Sequence, residues 1–404
     1  MKFTTFTVAS CFAASALLSS SVHAQDTGDD FWSKLKPYAD ARLRNELVDQ
    51  ANRPREANSW TFRLRAGLEL KLSDTTTIAG DLDWIEVLNN DFNSTFNGRT
   101  QFPVVGDPPA TELNRLYLTN TSIENTKITV GRQRIIFDDA RFVGNVGWRQ
   151  NEQTYDAVRV ENKSLGDVKI DAAYLRRINR IFGPDSPVGR FRGDTFLLNV
   201  SKPTPIGKLT GFAYLVELEE ALANSVQTYG GRLAGKTNVT SGVDFSYVAS
   251  FATQSEYQNN PIDFSADYYF AEGVLGSNGF TAGAGYEVLT GNGTKGFATP
   301  LATLHKFQGF ADLFLATPAD GIEDLYFKAG WAKKNVGPFS SLRFVATYHE
   351  FRAENVSLKY GTETNLLAVA NFKNMTFLVK FADYNADGFG PDTTRLTIDF
   401  GIKF

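Results

Sequence analysis

Residues 60–72 read WTFRLRAGLELKL. Trp60, Phe62, Leu64, Ala66, Leu68, Leu70 and Leu72 share one parity, and Thr61, Arg63, Arg65, Gly67, Glu69 and Lys71 share the other. A period of two held for 13 residues is longer than the usual strand of a globular sheet. An amphipathic helix would place apolar residues at i, i+3, i+4 and i+7, a pattern that Arg63 and Glu69 interrupt. The stretch is therefore a long strand with one apolar and one charged face.

The pattern recurs along the chain. Val243, Phe245, Tyr247, Ala249 and Phe251 alternate with Asp244, Ser246, Val248 and Ser250. Phe264, Ala266, Tyr268 and Phe270 alternate with Ser265, Asp267 and Tyr269, and Leu342, Phe344, Ala346 and Tyr348 with Arg343, Thr347 and His349. Phe280, Ala282, Ala284, Tyr286 and Val288 do the same against small residues and Glu287. Turn signals separate the runs at Ser73-Asp74, 162–167, 202–207 and Lys373-Asn374. The chain closes on TRLTIDFGIKF, with Leu396, Ile398, Phe400, Ile402 and Phe404 on one face. A last strand ending in phenylalanine has the form of the signal read by the bacterial outer-membrane assembly machinery, which makes Phe404 the expected assembly signal.

Residues 1–24 have the form of a cleaved signal peptide: Lys2 as a basic start, an apolar run from Phe6 to Leu18, and Val22-His23-Ala24 before the cut. The competing reading is a lipoprotein signal at Cys11. Cleavage after Ala24 removes the chain's one cysteine, so no disulfide is expected. Residues 25–404 hold no apolar run long enough for a membrane helix. They are rich in aromatics, with 33 Phe and 15 Tyr in the whole chain, yet polar on average. Lipid on one strand face and water on the other produce that mean.

The expected fold is all-β: one transmembrane antiparallel β-barrel over residues 25–404, in the outer membrane. About nineteen candidate runs are visible, and an even number, 18, fits best; the weak runs are 228–236 and 113–136. A barrel of that size encloses an aqueous lumen. With apolar residues toward lipid, Arg42, Arg44, Arg63, Arg65, Arg115, Arg159, Arg177, Arg232, Arg343 and Arg395 are expected to face the lumen. Of the 22 arginines after residue 24, 18 lie between Arg42 and Arg192, so one sector of wall should be rich in guanidinium. Planar forks suit carboxylates of an acidic polymer or a small anion, or they brace the wall against its own acids. The net charge of −4, or −5 once Lys2 leaves, does not decide between these, because focusing depends on local sign.

Three further blocks carry a family likeness. GRQ at 131–133 is followed by DDARFVG at 138–144 and GWRQNEQTYDAVRV at 147–160; then come LHKFQGFADLFLATPADGIEDLY at 304–326, and Tyr360-Gly361-Thr362-Glu363 with FADYNAD at 381–387. In these the chain resembles the alginate export family of outer-membrane porins. The resemblance implies an 18-stranded barrel with an arginine-lined conduit for an anionic polysaccharide, with Arg132 and Arg159 as pathway residues. It also makes Asp138, Asp139, Arg141, Trp148, Arg149, Asp156, His305, Phe307, Gly309 and Asp312 structural motif residues. Alternation from Ile128 and Val130 puts Arg132 on the lipid side unless a bulge at Gly131 resets the register. The loops read as modest for such a family, so a lid or plug should be reduced.

An enzyme is not expected. His305 and His349 are the only histidines after residue 24, with no serine or metal-ligand spacing beside them, and no cofactor is implied. A nucleic-acid binder would leave the lipid stripes unexplained. The expected partners are outer-membrane lipid, an anionic oligo- or polysaccharide, the assembly machinery and, for export, periplasmic polysaccharide secretion proteins, with a monomeric barrel. A general anion or sugar porin, or a closed adhesive barrel, remains the alternative.

Overall fold

The computed structural model describes residues 32–404; the expected signal peptide and Cys11 lie outside them. The chain forms one closed antiparallel sheet of 18 strands. In chain order these are β1 (Leu35–Gln50), β2 (Ala57–Lys71), β3 (Thr76–Val87), β4 (Ala110–Asn120), β5 (Thr126–Gln133) and β6 (Thr154–Leu165). Next come β7 (Val168–Asn179), β8 (Arg190–Thr204), β9 (Gly207–Val216), β10 (Val226–Thr240), β11 (Val243–Glu256) and β12 (Ser265–Ser277). The barrel continues with β13 (Phe280–Leu289), β14 (Ile322–Val336), β15 (Phe339–Arg352), β16 (Lys359–Phe372), β17 (Met375–Ala386) and β18 (Thr393–Lys403). Each strand pairs with its sequence neighbours, and β18 pairs with β1 from Asp40↔Lys403 to Gln50↔Thr393. Closure leaves no sheet edge, which is what lets strands cross lipid.

Both weak runs resolve into strands. Residues 228–236 lie inside β10, and 113–136 spans β4 and β5, whose parity is broken by a register shift opposite Asp81 and Leu82 that leaves Asn114 unpaired. Strands extend into the expected turns at 162–167 and 202–207, so those hairpins are tighter than the composition indicates. The outer wall follows the alternation: Leu68, Leu82, Phe327, Phe344 and Phe377 are each about half exposed or more, as a lipid coat requires. Thr61, Arg63 and Arg65 between them are buried inside.

One end carries tight turns and the other carries the long connections 88–109, 134–153 and 290–321. In bacterial barrels the tight turns are periplasmic. The loops are not modest, because they fold into the barrel and meet the loop-side ends of the strands. There they build an interior core around Phe137, Phe297, Leu301 and Phe314. This overturns the expected facing of β12. Phe264, Ala266 and Tyr268 point inward into that core, while Tyr269 points out.

Two expected lumen residues also change side. The pairs Leu116↔Arg132, Tyr117↔Gly131 and Leu118↔Val130 run without a shift, so Arg132 keeps the parity of exposed Val130. Gly131 is glycine for another reason: its φ is 118°, and a Cβ there would sit 2.4 Å from the Leu116 carbonyl oxygen. In β7 a bulge between Leu175 and Arg177 places Arg176 and Arg177 both outside, with Leu175 and Ile178 both in the core.

Candidate functional site

The lumen is crossed by two connections stitched to each other. Val143 and Leu301 form a parallel bridge, Gly144 N–H donates to the Leu301 carbonyl at 2.9 Å, and Thr303 N–H donates to the Ala140 carbonyl at 3.0 Å. Gln153 Nε2 donates to both the Gly144 and Leu301 carbonyls at 3.0 and 3.2 Å, and the Tyr155 hydroxyl donates to the Gly144 carbonyl at 2.6 Å. These bonds satisfy backbone groups that would otherwise be buried without partners.

The arginine ladder of β1 and β2 grips this assembly. Arg44 donates to Asp399 at 3.0 Å and Asp107 at 3.2 Å, and to the Trp148 carbonyl. Arg63 pairs with Asp40 and donates to the Gln150 carbonyl at 3.1 Å. Arg65 takes Asp83 in a two-bonded fork at 2.6 Å and meets Glu152 at 2.8 Å. Arg42 is bonded to neutral acceptors, Gln150 Oε1 at 2.9 Å and the Gly147 and Arg149 carbonyls, with Asp399 no nearer than 3.7 Å. Arg115 binds Asp81, Arg159 forks onto Asp171 at 2.7 Å, Arg232 meets Asp139 at 2.9 Å, and Arg395 pairs with Glu46. Arg343 faces inward on β15, exposed and with no ion pair among the described residues. Arg132 instead binds Asp156 at 2.7 and 3.2 Å on the outer face, where Arg177 approaches Asp156 at 3.6 Å.

Every motif residue of 134–153 has a partner that fastens it. Asp138 accepts from Asn199 at 2.9 Å and Lys208 at 2.8 Å, and Arg141 pairs with Glu287 at 2.6 Å while its guanidinium lies 4.6 Å over the Phe307 ring. Burial alone would push the Asp139 carboxyl up, but Arg232 and Lys306 hold it below the usual range. Burial likewise works against Glu152, yet Arg134 and Arg65 bring it down to about 2. Arg149 reaches Glu46 at 3.3 Å and Asp312 at 3.0 Å.

Trp148 is folded inward, not set at the membrane interface. Its ring stacks on His305 at 4.2 Å with 2° between planes, and Lys380 sits 3.9 Å from Trp148 and 4.0 Å from Phe310. Sequence parity could not find Lys380 or Phe310 as partners, because the two rings come from different loops. His305 Nδ1 lies 2.7 Å from Asp312 Oδ1, and burial pushes the imidazolium down to about 3 against the pull of that carboxylate. Gly309 has φ 82°, and a Cβ there would fall 2.3 Å from the Glu363 carboxylate, which accepts the Phe310 and Ala311 N–H groups. Gly309→Ala is expected to cost about 1–3 kcal/mol through left-handed strain and this clash, read as faster proteolysis within 290–321.

Among the described residues, His305 and His349 each face a carboxylate, with His349 2.9 Å from Asp324. Residues 88–198 match the model of the Alginate export family, a span that runs from the loop after β3 into β8. No curated protein matches the chain in sequence. Among solved structures it is similar to Acinetobacter baumannii OccAB2, with TM-score 0.69 and 17% identity over 91% of this chain and 98% of that one. It is also similar to Pseudomonas aeruginosa OccK8 (OprE), at 0.68 and 13% over 93% and 100%. Pseudomonas aeruginosa OccK9 (OpdG) gives 0.70 and 11% over 93% and 100%. The closed barrel is thus the fold of these outer-membrane porins, and the segment from the loop after β3 into β8 is similar to the Alginate export family.

Proposed function

We propose that the porin passes anionic carbohydrate, an alginate-like polyuronate or its fragments, without energy input and as a monomer. The observation that carries this reading is the arginine ladder on the inner faces of β1, β2, β4 and β6, within and beside the segment matched to the family. Most of those guanidiniums are neutralised by loop or wall carboxylates, so their first task is to hold the loops. Arg42, bonded mainly to neutral acceptors, and unpaired Arg343 are left to attract a passing anion. The loops filling the loop-side lumen favour fragments over a bulky chain. Assembly through the terminal Phe404, and any periplasmic secretion partner, belong to the same proposal.

Planar-bilayer recordings test it. Wild type should prefer anions and be blocked by oligouronates from either side. A unit charge 6 Å from a permeating anion in water is worth about 0.7 kcal/mol, about threefold in local anion occupancy, so Arg42→Ala/Arg343→Ala should cut the anion-over-cation ratio at least threefold. An unchanged ratio with unchanged oligouronate block would end the anion reading and leave a general small-solute porin.

A further inference from the structure

The arginine-rich sector has an outer face that conduction does not use. Arg132, Arg176, Arg177, Arg190 and Arg192 all point away from the lumen at the loop-side ends of β5, β7 and β8. The bulge in β7 is what brings Arg176 and Arg177 out together. Arg176 meets Asp194 at 2.8 Å and Arg192 meets Glu220 at 2.7 Å, while Arg177 has only a 3.6 Å approach to Asp156. Arg190 is exposed and makes no ion pair among the described residues. At the loop-side ends of β12, β14 and β17 the outward charges are the half-buried acids Asp267, Glu323 and Asp383, and Arg352 and Lys359 are the exposed bases nearby.

Directly below on the same strands lies a groove of about 440 Å³ in the lipid-facing wall. Val160, Ala172 and Ala213 form its floor, and Tyr174 and Phe196, with centroids 5.0 Å apart, form its upper wall. The Tyr174 hydroxyl donates to Asp194 at 2.5 Å, so the aromatic wall and the charged rim are joined. Arg192 is four residues from Phe196, about 13 Å along the strand, which sets the guanidiniums at headgroup depth above an acyl-sized slot. Forked guanidiniums suit phosphate bidentately, and the loop end of the barrel faces the outer leaflet.

We propose that the outer wall of β5–β9 is a binding site for a phosphorylated, multiply acylated lipid of the outer leaflet, with one acyl chain in the groove and phosphate on the rim arginines. The occupant is committed to by charge and place: an apolar slot alone would take any chain, and arginines alone any anion.

The test uses the full chain purified in detergent and native mass spectrometry with three probes: diphosphorylated lipid A, a neutral lipid of equal acyl length, and inorganic phosphate. Lipid A should bind at one copy per chain, and the neutral lipid should not compete. Arg176→Ser/Arg177→Ser/Arg192→Ser should weaken binding about tenfold or more, given the strength of charged hydrogen bonds. Arg190→Ser breaks no ion pair, so it serves if the triple variant fails to fold, and should weaken binding about threefold. Ala213→Phe should weaken it by filling the groove, whereas Arg352→Ser should not. Equal binding of the neutral lipid, or indifference to Arg190→Ser and Ala213→Phe, would overturn the site as ordinary annular lipid. Displacement by inorganic phosphate irrespective of the groove variant would overturn it as an anion site only.

Discussion

Replacing Glu46 by alanine is expected to release the 134–153 connection from the barrel wall. Glu46 is fully buried and receives both Arg149, at 3.3 Å, and Arg395. Those arginines then share only Asp312, at 3.0 and 3.4 Å, while Arg44 already occupies Asp399 and Asp107. Removing one partner from a buried charge cluster costs about 3–5 kcal/mol, because the cations left behind have lost both water and a counter-ion. The barrel itself is held by backbone ladders on every side and should remain closed. The loss therefore falls on the loop: larger single-channel conductance, noisier open currents and new protease cleavage within 134–153. Glu46→Gln keeps acceptors but not charge and should lie between. Unaltered conductance and unaltered protease resistance in Glu46→Ala would mean that the Val143–Leu301 stitch holds the loop without the charge cluster.

The barrel was legible where one rule governs both faces of a strand. In β2, Arg63 and Arg65 are buried and Leu68 is exposed, as their alternation requires. Legibility ended where loops replace water inside. Tyr268 lies inward although apolar, because Phe142 and Phe297 from the two loops cover it at 5.1 and 5.8 Å, and a lipid face and a covered inner face look alike in sequence. Arg132 and Arg177 show a second limit. Whether an extra residue is accommodated by a bulge depends on the neighbouring strand's register, so β7 acquires one at Leu175–Arg177 while β5 passes Gly131 without one. Of the outer-rim arginines, Arg132 and Arg177 alone are placed in the pathway by sequence for this reason, although the arginine-rich sector as a whole is visible from composition.

Acidification is expected to loosen the 290–321 connection, and one imidazole accounts for it. His305 is stacked between Trp148 and Phe310, with ring centroids 4.2 and 5.3 Å away. Its Nδ1 is engaged by Asp312 and its Nε2 has no partner, so a second proton would create a buried N–H with nothing to receive it. Arg149, Arg395 and Lys380 also face this point, and another positive charge would be repelled. Burial therefore lowers the imidazole's proton affinity in the folded loop, as the nearby cations also do, and Asp312 only partly offsets this. The sign follows: the released loop binds the proton more readily, so the stability His305 confers is complete above its unfolded value near 6.5. It is lost as pH falls toward the folded value of about 3. Each pH unit in that window removes on the order of 1 kcal/mol, so the loss by pH 4.5 should be a few kcal/mol. Asp312, itself held below the usual carboxylate range despite its burial by His305, Arg395 and Arg149, adds loss of the same sign only at still lower pH. Bilayer currents should grow larger and noisier from pH 6.5 to 4.5, and His305→Gln should flatten that dependence while His349→Gln leaves it in place. If His305→Gln retains the full pH response, the titrating group lies elsewhere, and the Trp148–His305 stack is a passive brace.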